Sequence, residues 1–369
     1  MGPRRLGAAL LALPLLLRAA AAGQWCYDSQ DPACGPSHWK ELKAACGGSR
    51  QSPINIDRRR LRRDGRLGRI LFEGYDRAPA GRWRLANDGH TVVLSLQGDS
   101  AAEHINITGG GLPGTYRALQ LHFHWGSLTG NGSEHTLDGR QFPMELHIVH
   151  INVNYRSLGE AKGHPNGLAV LGFFFKVSET DNSNYNTIVA GLRNVSHQGD
   201  FVDLASTFRL SNLLPSAAQL SKYYRYQGSL TTPDCSEVVV WTVFEEPVAI
   251  GQAQLTAFVD TVHFPAAGAL LLKMTDNFRP PQPLRGRRVL ASRDAATTRS
   301  ISKLLLSPNG AVGAVGVSLA VGAVGAWLRL AARPRLRETP RHLVAVFTRK
   351  LLLPPRLTVY DLQLSYPWW

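Results

Sequence analysis

The sequence predicts a mostly β protein with one large domain at residues 23–289. Short segments in which apolar and polar residues alternate at period two recur along this region, as is typical of strands with one buried face. The segment at 167–176 is almost continuously apolar, which indicates a strand buried on both faces. Helical periodicity is confined to short segments, so the predicted helices are few and peripheral. A chain of 369 residues is long enough to bury a sizeable core.

The predicted elements follow an irregular lead-in that ends near residue 50. A short extended segment at 51–57 precedes an arginine-rich loop at 58–69. Strands are predicted at 70–75, 83–87, 90–96, 103–108, 119–126, 144–151, 167–176 and 238–244. Helices are predicted at 185–192 and 252–262, and residues 217–226 are expected to run through polar and aromatic residues into a turn.

The strand at 119–126 carries two histidines on one face. Residues two apart in a strand point the same way, so His122 and His124 lie side by side, with Gln120 next to them. Two imidazoles on one face suit a metal better than they suit an apolar core. Ordinary strand histidines are the alternative interpretation.

The strand at 144–151 offers a third ligand. Glu145 and His147 share one of its faces, and His150 lies on the other. If the two strands pair antiparallel, His147 joins the first two histidines. Three neutral imidazoles leave the fourth position of a tetrahedral zinc open for water, which is the catalytic pattern.

Suitable hydrogen-bond acceptors strengthen the zinc hypothesis. Metal-bound imidazoles need an acceptor for their second N–H, and Gln120 and Glu145 stand on the histidine-bearing faces. His135 and His150 are predicted not to be ligands, because their positions do not fit that face. A structural zinc site would need a fourth protein ligand, and no cysteine is placed to serve.

The formal charge of +14 does not predict nucleic-acid binding. Residues 58–69 hold seven Arg and one Asp, and residues 329–369 hold eight Lys or Arg and two acids, so each segment carries a net +6. Neither segment has the interleaved aromatic residues of a nucleic-acid surface. A solvated loop and a basic tail are the interpretation, with the tail near anionic lipid as an alternative.

Residues 1–22 resemble a secretory signal peptide, with early arginines, an apolar run and a small-residue cleavage site. Secretion permits disulfides, and four cysteines allow three pairings. Cys26 and Cys34 are near enough in sequence to close a small loop, in which case Cys46 would pair with Cys235. Three glycosylation sequons, which also fit a secretory route, begin at Asn106, Asn131 and Asn194.

The chain resembles the α-class carbonic anhydrases across roughly residues 25–289, and its cysteines and termini resemble their membrane-anchored extracellular branch, types four and fifteen. The motifs that carry the resemblance occur in the family's order. They are Gln51-Ser-Pro-Ile-Asn-Ile, Asn87-Asp-Gly-His, Gln120-Leu-His-Phe-His-Trp-Gly, Gly132-Ser-Glu-His-Thr, Glu145-Leu-His-Ile-Val-His, Gly167-Leu-Ala-Val-Leu-Gly, Gly228-Ser-Leu-Thr-Thr-Pro and Asn277-Phe-Arg-Pro-Pro-Gln-Pro-Leu.

The resemblance implies a twisted, mainly antiparallel sheet of about ten strands with short peripheral helices. It implies Zn²⁺ on His122, His124 and His147, and reversible hydration of carbon dioxide to bicarbonate and a proton. Such an enzyme would act outside the cell in pH and bicarbonate balance, and bicarbonate transporters are candidate partners.

The resemblance also implies roles for single residues. Thr231 would accept a hydrogen bond from hydroxide and donate its own proton to Glu134. The carbonyl of Asn277 would brace a zinc ligand, His90 would be the proton shuttle, and Tyr27 would join its water network. The implied substrate-binding residues are an apolar wall of Val149, Val170, Leu230 and Trp241, with Thr232 near bicarbonate.

Other positions refine this expectation. Cys46 and Cys235 match a disulfide that holds the loop carrying Thr231. Asp88 stands where the family often has Asn, and its charge is expected to alter water order or raise the pKa of His90. Asp234 replaces a second proline. A non-catalytic cell-surface binding module with the same fold is the alternative function, but the ligand histidines and Thr231 that such a protein would have lost are present.

The C-terminal region leaves several forms of attachment open. A linker is predicted at 290–310, an apolar segment at 311–328 and a basic, disordered tail at 329–369. The apolar segment suits a glycolipid (GPI) signal, although such a signal should end the chain. A single membrane span with a basic cytoplasmic tail, an altered reading frame or splice form past residue 328, and a secreted protein are the alternatives.

Overall fold

The computed structural model describes residues 24–98, 104–265 and 271–297. These residues belong to one compact unit of the chain. The segments predicted as signal peptide, apolar anchor and basic tail lie outside the described residues. Within the described ranges, none of the helices combines the length and apolarity that a membrane crossing requires.

Strands dominate the described residues, as predicted. They are β1 (Asn55–Ile56), β2 (Arg62–Arg63), β3 (Ile70–Glu73), β4 (Arg82–Asn87), β5 (Val92–Gln97), β6 (Asn106–Gly109), β7 (Tyr116–Trp125), β8 (Thr136–Leu137), β9 (Met144–Asn152), β10 (Leu168–Ser178), β11 (Phe201–Asp203), β12 (Tyr223–Gly228), β13 (Val239–Gly251) and β14 (Leu290–Ala291).

One large mixed sheet organises these strands. In the described part of the chain it has twelve strands, in the order β11-β4-β5-β7-β9-β10-β13-β12-β14-β2, with β3 paired to β6 and β6 to β7. Most neighbours are antiparallel, while β10 with β13 and β14 with β2 run parallel. Strands β1 and β8 form a separate parallel pair. The prediction of a large, mainly antiparallel sheet is confirmed, and the sheet is slightly larger than the expected ten strands.

The helices are short and peripheral, as predicted. They are α1 (Trp39–Leu42), α2 (Leu158–Ala161), α3 (Asn186–Gly191) and α4 (Gln252–Thr261), with 3₁₀ turns at Pro32–Cys34, Ala44–Gly47, Ser183–Tyr185, Leu192–Asn194 and Leu210–Leu213. Helix α4 follows β13 directly and buries Leu255, Phe258 and Val259. This three- and four-residue spacing is the apolar face from which the helix at 252–262 was predicted.

The sheet differs from the prediction most at β12, which was not predicted as a strand, and at the end of β13. Strand β12 extends to Gly228 through residues expected to turn, and β13 continues to Gly251, well past residue 244. The first four residues of β12 are all buried, so no polar alternation marks it as a strand. Strand β13 is extended because it pairs with β10 on one side and β12 on the other.

The central strands of the sheet are deeply buried in the core. Strand β10 lies between β9 and β13, and its first eight residues are buried, which confirms the prediction for 167–176. Each large apolar side chain buried there contributes about 1.5–3 kcal/mol to stability. Leu121 and Phe123 of β7 and Leu146 of β9 pack in one core cluster, on the face away from the histidines. Packing of their apolar face against the core therefore fixes the position of the histidine-bearing strands.

Candidate metal centre

The pairing of β7 with β9 brings three histidines together. The two strands are antiparallel, and His122 stands directly opposite His147. The ring centroids of His122, His124 and His147 are 4.6 to 5.2 Å apart. One nitrogen from each ring lies within 4.8 Å of the others, in a group that could hold a metal ion. This is the arrangement expected if the strands paired antiparallel.

The second nitrogen of each imidazole already has a hydrogen-bond acceptor. His122 Nδ1 bonds Gln120 Oε1 at 2.9 Å, His124 Nδ1 bonds the Asn277 carbonyl at 2.8 Å, and His147 Nε2 bonds Glu145 Oε1 at 2.8 Å. An acceptor at one nitrogen places the N–H there and leaves a lone pair at the other. The remaining nitrogens therefore converge, with His124 Nε2 and His147 Nδ1 3.1 Å apart.

Burial favours the neutral imidazole at two histidines of the cluster, His122 and His124. Burial lowers the pKa of His122 well below its ordinary value, and the neighbouring histidines lower it further. Burial also lowers the pKa of His124. Burial alone would raise the pKa of Glu145, but His135 and His147 outweigh it and hold that pKa well below its ordinary value. The lowered pKa values of His122 and His124 suit metal binding, which requires deprotonated ligands.

Glu134 is buried beside this cluster. Its Oε1 accepts a hydrogen bond from the backbone N–H of Arg279 at 2.8 Å. Its Oε2 has no hydrogen-bond partner in the described part of the chain, and lies 3.4 Å from His124 Nε2 and 3.8 Å from His147 Nδ1. The Thr231 hydrogen bond to Glu134 that the resemblance implies is not among the hydrogen bonds of the described residues, and the unpartnered Oε2 is the atom that could still accept it.

His90 occupies a turn between β4 and β5. Asp88 Oδ1 accepts from the backbone N–H groups of His90 and Thr91, both at 2.8 Å. The imidazole stacks on Trp25, with ring centroids 3.7 Å apart, and lies 6.3 Å from the ring of buried Tyr27. His90 Nδ1 is buried and has no hydrogen-bond partner within the described residues.

The charge of Asp88 raises the pKa of His90, as expected, but it does not decide the net shift of that pKa. Burial lowers the pKa of His90, and the charge of Asp88 raises it by less. The net pKa of His90 is therefore lower than usual. Asp234, which replaces a second proline of the family motif, pairs with Lys162 Nζ at 3.4 Å. Among the described residues it forms no salt bridge with the histidine cluster.

The residues of the expected apolar wall come together next to the cluster. Val149, Val170 and Trp241 are buried in one core cluster, and Leu230 packs against it half-buried. The Trp241 ring lies 4.8 Å from that of His147, and its Nε1 donates to the Ser229 carbonyl. Thr232 is half-buried in the same loop as buried Thr231.

Two disulfides join the four cysteines, which confirms the predicted pairing of Cys26 with Cys34 and of Cys46 with Cys235. The second bond ties the loop that carries Thr231 to the segment before β1. Of the sequon asparagines, Asn131 and Asn194 are exposed and Asn106 is half-buried in β6.

Sequence reasoning missed three residues that build the site. His135 bonds Glu145 Oε1 through Nδ1 at 2.7 Å and the Tyr226 hydroxyl through Nε2 at 2.7 Å. His135, Glu145 and His147 form a second group of possible ligand atoms, but their close contacts are these hydrogen bonds. Trp25 stacks on His90, and Arg279 positions Glu134. His135 and Arg279 lie within the family-like motifs, whereas nothing in the local pattern singles out Trp25.

Comparison with known proteins agrees with this geometry. The profile of the eukaryotic-type carbonic anhydrases matches residues 34–293. The chain is 50% identical to mouse carbonic anhydrase 15 over 298 residues, which is 80% of this chain and 91% of that protein. It is 41% identical to rabbit carbonic anhydrase 4 over 292 residues, 78% of this chain and 90% of the relative. Rat carbonic anhydrase 4 is 37% identical over 289 residues, 77% of this chain and 89% of the relative.

The match covers more than half of the chain and includes the histidine strands, the apolar wall and the loop of Thr231. The chain therefore belongs to the eukaryotic-type carbonic anhydrases and is a carbonate dehydratase, an enzyme that interconverts carbon dioxide and bicarbonate.

Proposed function

We propose that this enzyme is zinc-dependent, with zinc held by His122, His124 and His147. The observation that carries the proposal is the convergence of three imidazole nitrogens whose opposite nitrogens are already bonded. Three nitrogen ligands with one open position are the donor set of catalytic zinc sites. The unpartnered Glu134 Oε2 beside the cluster also fits a site that gains further polar contacts when it is filled.

When bound, zinc lowers the pKa of a water molecule to about 7, so that a nucleophile exists at neutral pH. The protein's own part is to fix the ligands. Gln120, Asn277 and Glu145 set the ring orientation and tautomer of the three histidines, and bonding to their acceptors makes the imidazoles more basic.

Glu134 and Thr231 would orient the attacking oxygen. Glu134 Oε1 is occupied by the Arg279 N–H, and an ionised carboxylate can only accept hydrogen bonds. A Thr231 hydroxyl that donates its proton to Glu134 would have only lone pairs left for the nucleophile. The nucleophile would then point its own lone pair at the substrate carbon, which is catalysis by positioning.

The apolar wall would accept the uncharged substrate. Val149, Val170 and Trp241 present no charge to carbon dioxide, and buried Trp241 keeps its one polar atom bonded to the backbone. Leu230 would complete this wall. Thr232, which is less buried, would contact bicarbonate before it leaves.

His90 would carry the proton away. A shuttle must take a proton from water on one side and release it on the other, so its nitrogens must not be locked in protein hydrogen bonds. His90 Nδ1 has no partner among the described residues, and a histidine titrates near neutral pH. Tyr27, buried beside Trp25 and His90, would order the intervening water.

We also propose that the enzyme acts outside the cell, attached to the membrane by a GPI anchor or a single span. The signal-like residues 1–22, the three sequons, the apolar segment at 311–328 and two disulfides support this location. Bicarbonate transporters would then be suitable partners, because they consume the product.

The test is stopped-flow hydration of carbon dioxide by the purified full-length protein, with zinc content measured on the same sample. We expect about one zinc per chain and rapid hydration that a chelator removes and added zinc restores. Folded protein without zinc would refute the three-histidine site. One zinc without hydration would refute the catalytic assignment and leave a binding role.

A further inference from the structure

A buried arginine lies on the opposite side of the sheet from the histidines. Arg225 in β12 is paired in register with Thr242 of β13, and the neighbouring pair is Tyr226 with Trp241. Trp241 packs against His147, and successive strand residues point to opposite faces. The side chain of Arg225 therefore belongs to the other face, away from the candidate metal centre.

The guanidinium of Arg225 is fixed but incompletely bonded. Its Nε donates to Thr242 Oγ1 and its Nη1 to the Gly110 carbonyl, both at 3.0 Å. The residue is 5% exposed, and its Nη2 has no hydrogen-bond partner within the described residues. Among those residues no carboxylate forms a salt bridge with it; its cation contact is the Tyr223 ring, 5.5 Å from Cζ.

Such an arrangement is costly unless something else satisfies it. A buried charge without a counter-ion loses its hydration, and each unmade hydrogen bond adds to that loss. Burial lowers the pKa of Arg225, yet a guanidinium stays protonated in proteins. Unsatisfied buried donors in folded proteins often mark a bound water or ion.

Arg225 lines a cavity of about 280 Å³. The charged residues in the wall are Asp64, Arg66, Arg225 and Arg288. Gly111 is also in the wall, with a positive φ of 70° that favours glycine. This volume lies just below the range of about 300–1,000 Å³ for typical ligand pockets, so it suits a small ligand.

The charges of the wall favour an anion. The Asp64 carboxylate is bonded to Arg66, at 2.7 Å from its Nη2, and so does not neutralise Arg225. Three arginines against one aspartate leave a net charge of about +2 around the cavity. The arginines come from β12, the loop after β2 and the segment before β14, so they approach a ligand from different sides. A planar carboxylate would be satisfied by one arginine, whereas a tetrahedral oxyanion offers oxygens to several.

We propose that Arg225 anchors a binding site for one tetrahedral oxyanion, a phosphate or sulfate group, with Arg66 and Arg288 at its exposed side. The site is independent of the catalytic centre, because it lies on the other sheet face. The oxyanion is either a free inorganic ion or a sulfate ester on a larger ligand.

The experiment is isothermal titration calorimetry of the full-length protein at pH 7.5 and constant ionic strength. The probes are inorganic phosphate, inorganic sulfate and a heparin-derived sulfated disaccharide. We expect saturable binding of one equivalent of at least one probe. Binding of the inorganic ions identifies a free-ion site, and binding of the disaccharide alone identifies a sulfate-ester site. Absence of saturable binding by all three probes overturns the proposal.

Variants separate this site from any anion binding at the histidines. Arg225→Gln should weaken binding by about tenfold or more, because it removes a charge-assisted donor. Arg288→Gln should weaken it by about threefold, as expected for an exposed charge. Asp64→Asn should tighten binding, since it removes the one carboxylate of the wall. Arg69→Gln is the matched control, because Arg69 is exposed in the same loop and does not line the cavity.

If Arg225→Gln fails to fold, the Arg288 and Asp64 variants still decide the question, since their expected effects have opposite signs. Equal affinity in those two variants and in the unmodified protein would place the anion elsewhere and overturn the proposal.

Discussion

Two histidine environments in this enzyme differ in how fully their nitrogens are bonded. In the β7–β9 cluster each outward nitrogen has an acceptor at 2.8 or 2.9 Å. His90 has no partner for Nδ1 among the described residues, and is held by stacking on Trp25. The hydrogen bonds of the cluster thus fix both the position and the tautomer of each ring. Stacking on Trp25 fixes mainly the plane of the His90 ring.

The difference follows from what each histidine is proposed to do. A metal ligand must keep one lone pair aimed at one point, so any alternative tautomer costs affinity. A proton shuttle must gain and lose a proton at each turnover, so a strong hydrogen bond to either form would slow it. Substitutions that remove a ligand, its acceptor, the shuttle or the charge beside the shuttle test this difference.

The largest effect is expected from His147→Ala. Loss of one of three ligands should reduce zinc affinity by well over 100-fold, since loss of an outer partner alone costs about 10–100-fold. Zinc content and hydration should disappear together. His38→Ala removes a partly exposed histidine that lies outside the cluster, and is the control. Full activity of His147→Ala would contradict the ligand assignment.

Glu145→Gln should weaken zinc binding by about 10–100-fold, because it removes the charged acceptor of His147. It also loosens His135, which bonds the same carboxylate. Competition with a metal chelator measures the affinity. Glu246→Gln, at a partly exposed Glu paired with Lys222, should leave it unchanged. An unaltered affinity in Glu145→Gln would show that the acceptor is not needed.

His90→Ala should leave zinc content unchanged and slow saturated turnover in weak buffer by about tenfold. The effect is below the ~100-fold typical of acid–base catalysis, because water and buffer still carry protons. Added imidazole should restore part of the rate. The stopped-flow rate in weak and in strong buffer is the measurement, and an equal rate with and without His90 in weak buffer excludes it as the shuttle.

The smallest effect is expected from Asp88→Asn. Burial lowers the pKa of His90 and Asp88 partly opposes this, so removing the charge should lower that pKa further. The fraction of protonated imidazole at a given pH then falls. NMR titration of the His90 ring gives the midpoint, which in the unmodified protein should lie below the usual value of about 6.5. A rise in Asp88→Asn would reverse the assigned sign, and exposed Glu179→Gln serves as the control.

The sequence by itself determined the sheet-rich fold and the pair of histidine faces. Strand alternation depends only on neighbouring residues, so His122 and His124 had to share a face, as did Glu145 and His147. The buried strand at 167–176 and the helix at 252–262 were visible for the same reason. The spacing of Cys26 and Cys34 suggested the disulfide pairing, and the family resemblance supported the bond between Cys46 and Cys235.

Only the tertiary structure decided what surrounds those faces. The Asn277 carbonyl reaches His124 across 153 positions of the chain, and Trp25 reaches His90 from the start of the domain. His135 contacts Glu145 because the connection between β7 and β9 folds back over the cluster. The unpaired guanidinium of Arg225 depends on the neighbours that β12, β13 and two loops bring together. Such contacts are set by the path of the whole chain, which no local period encodes.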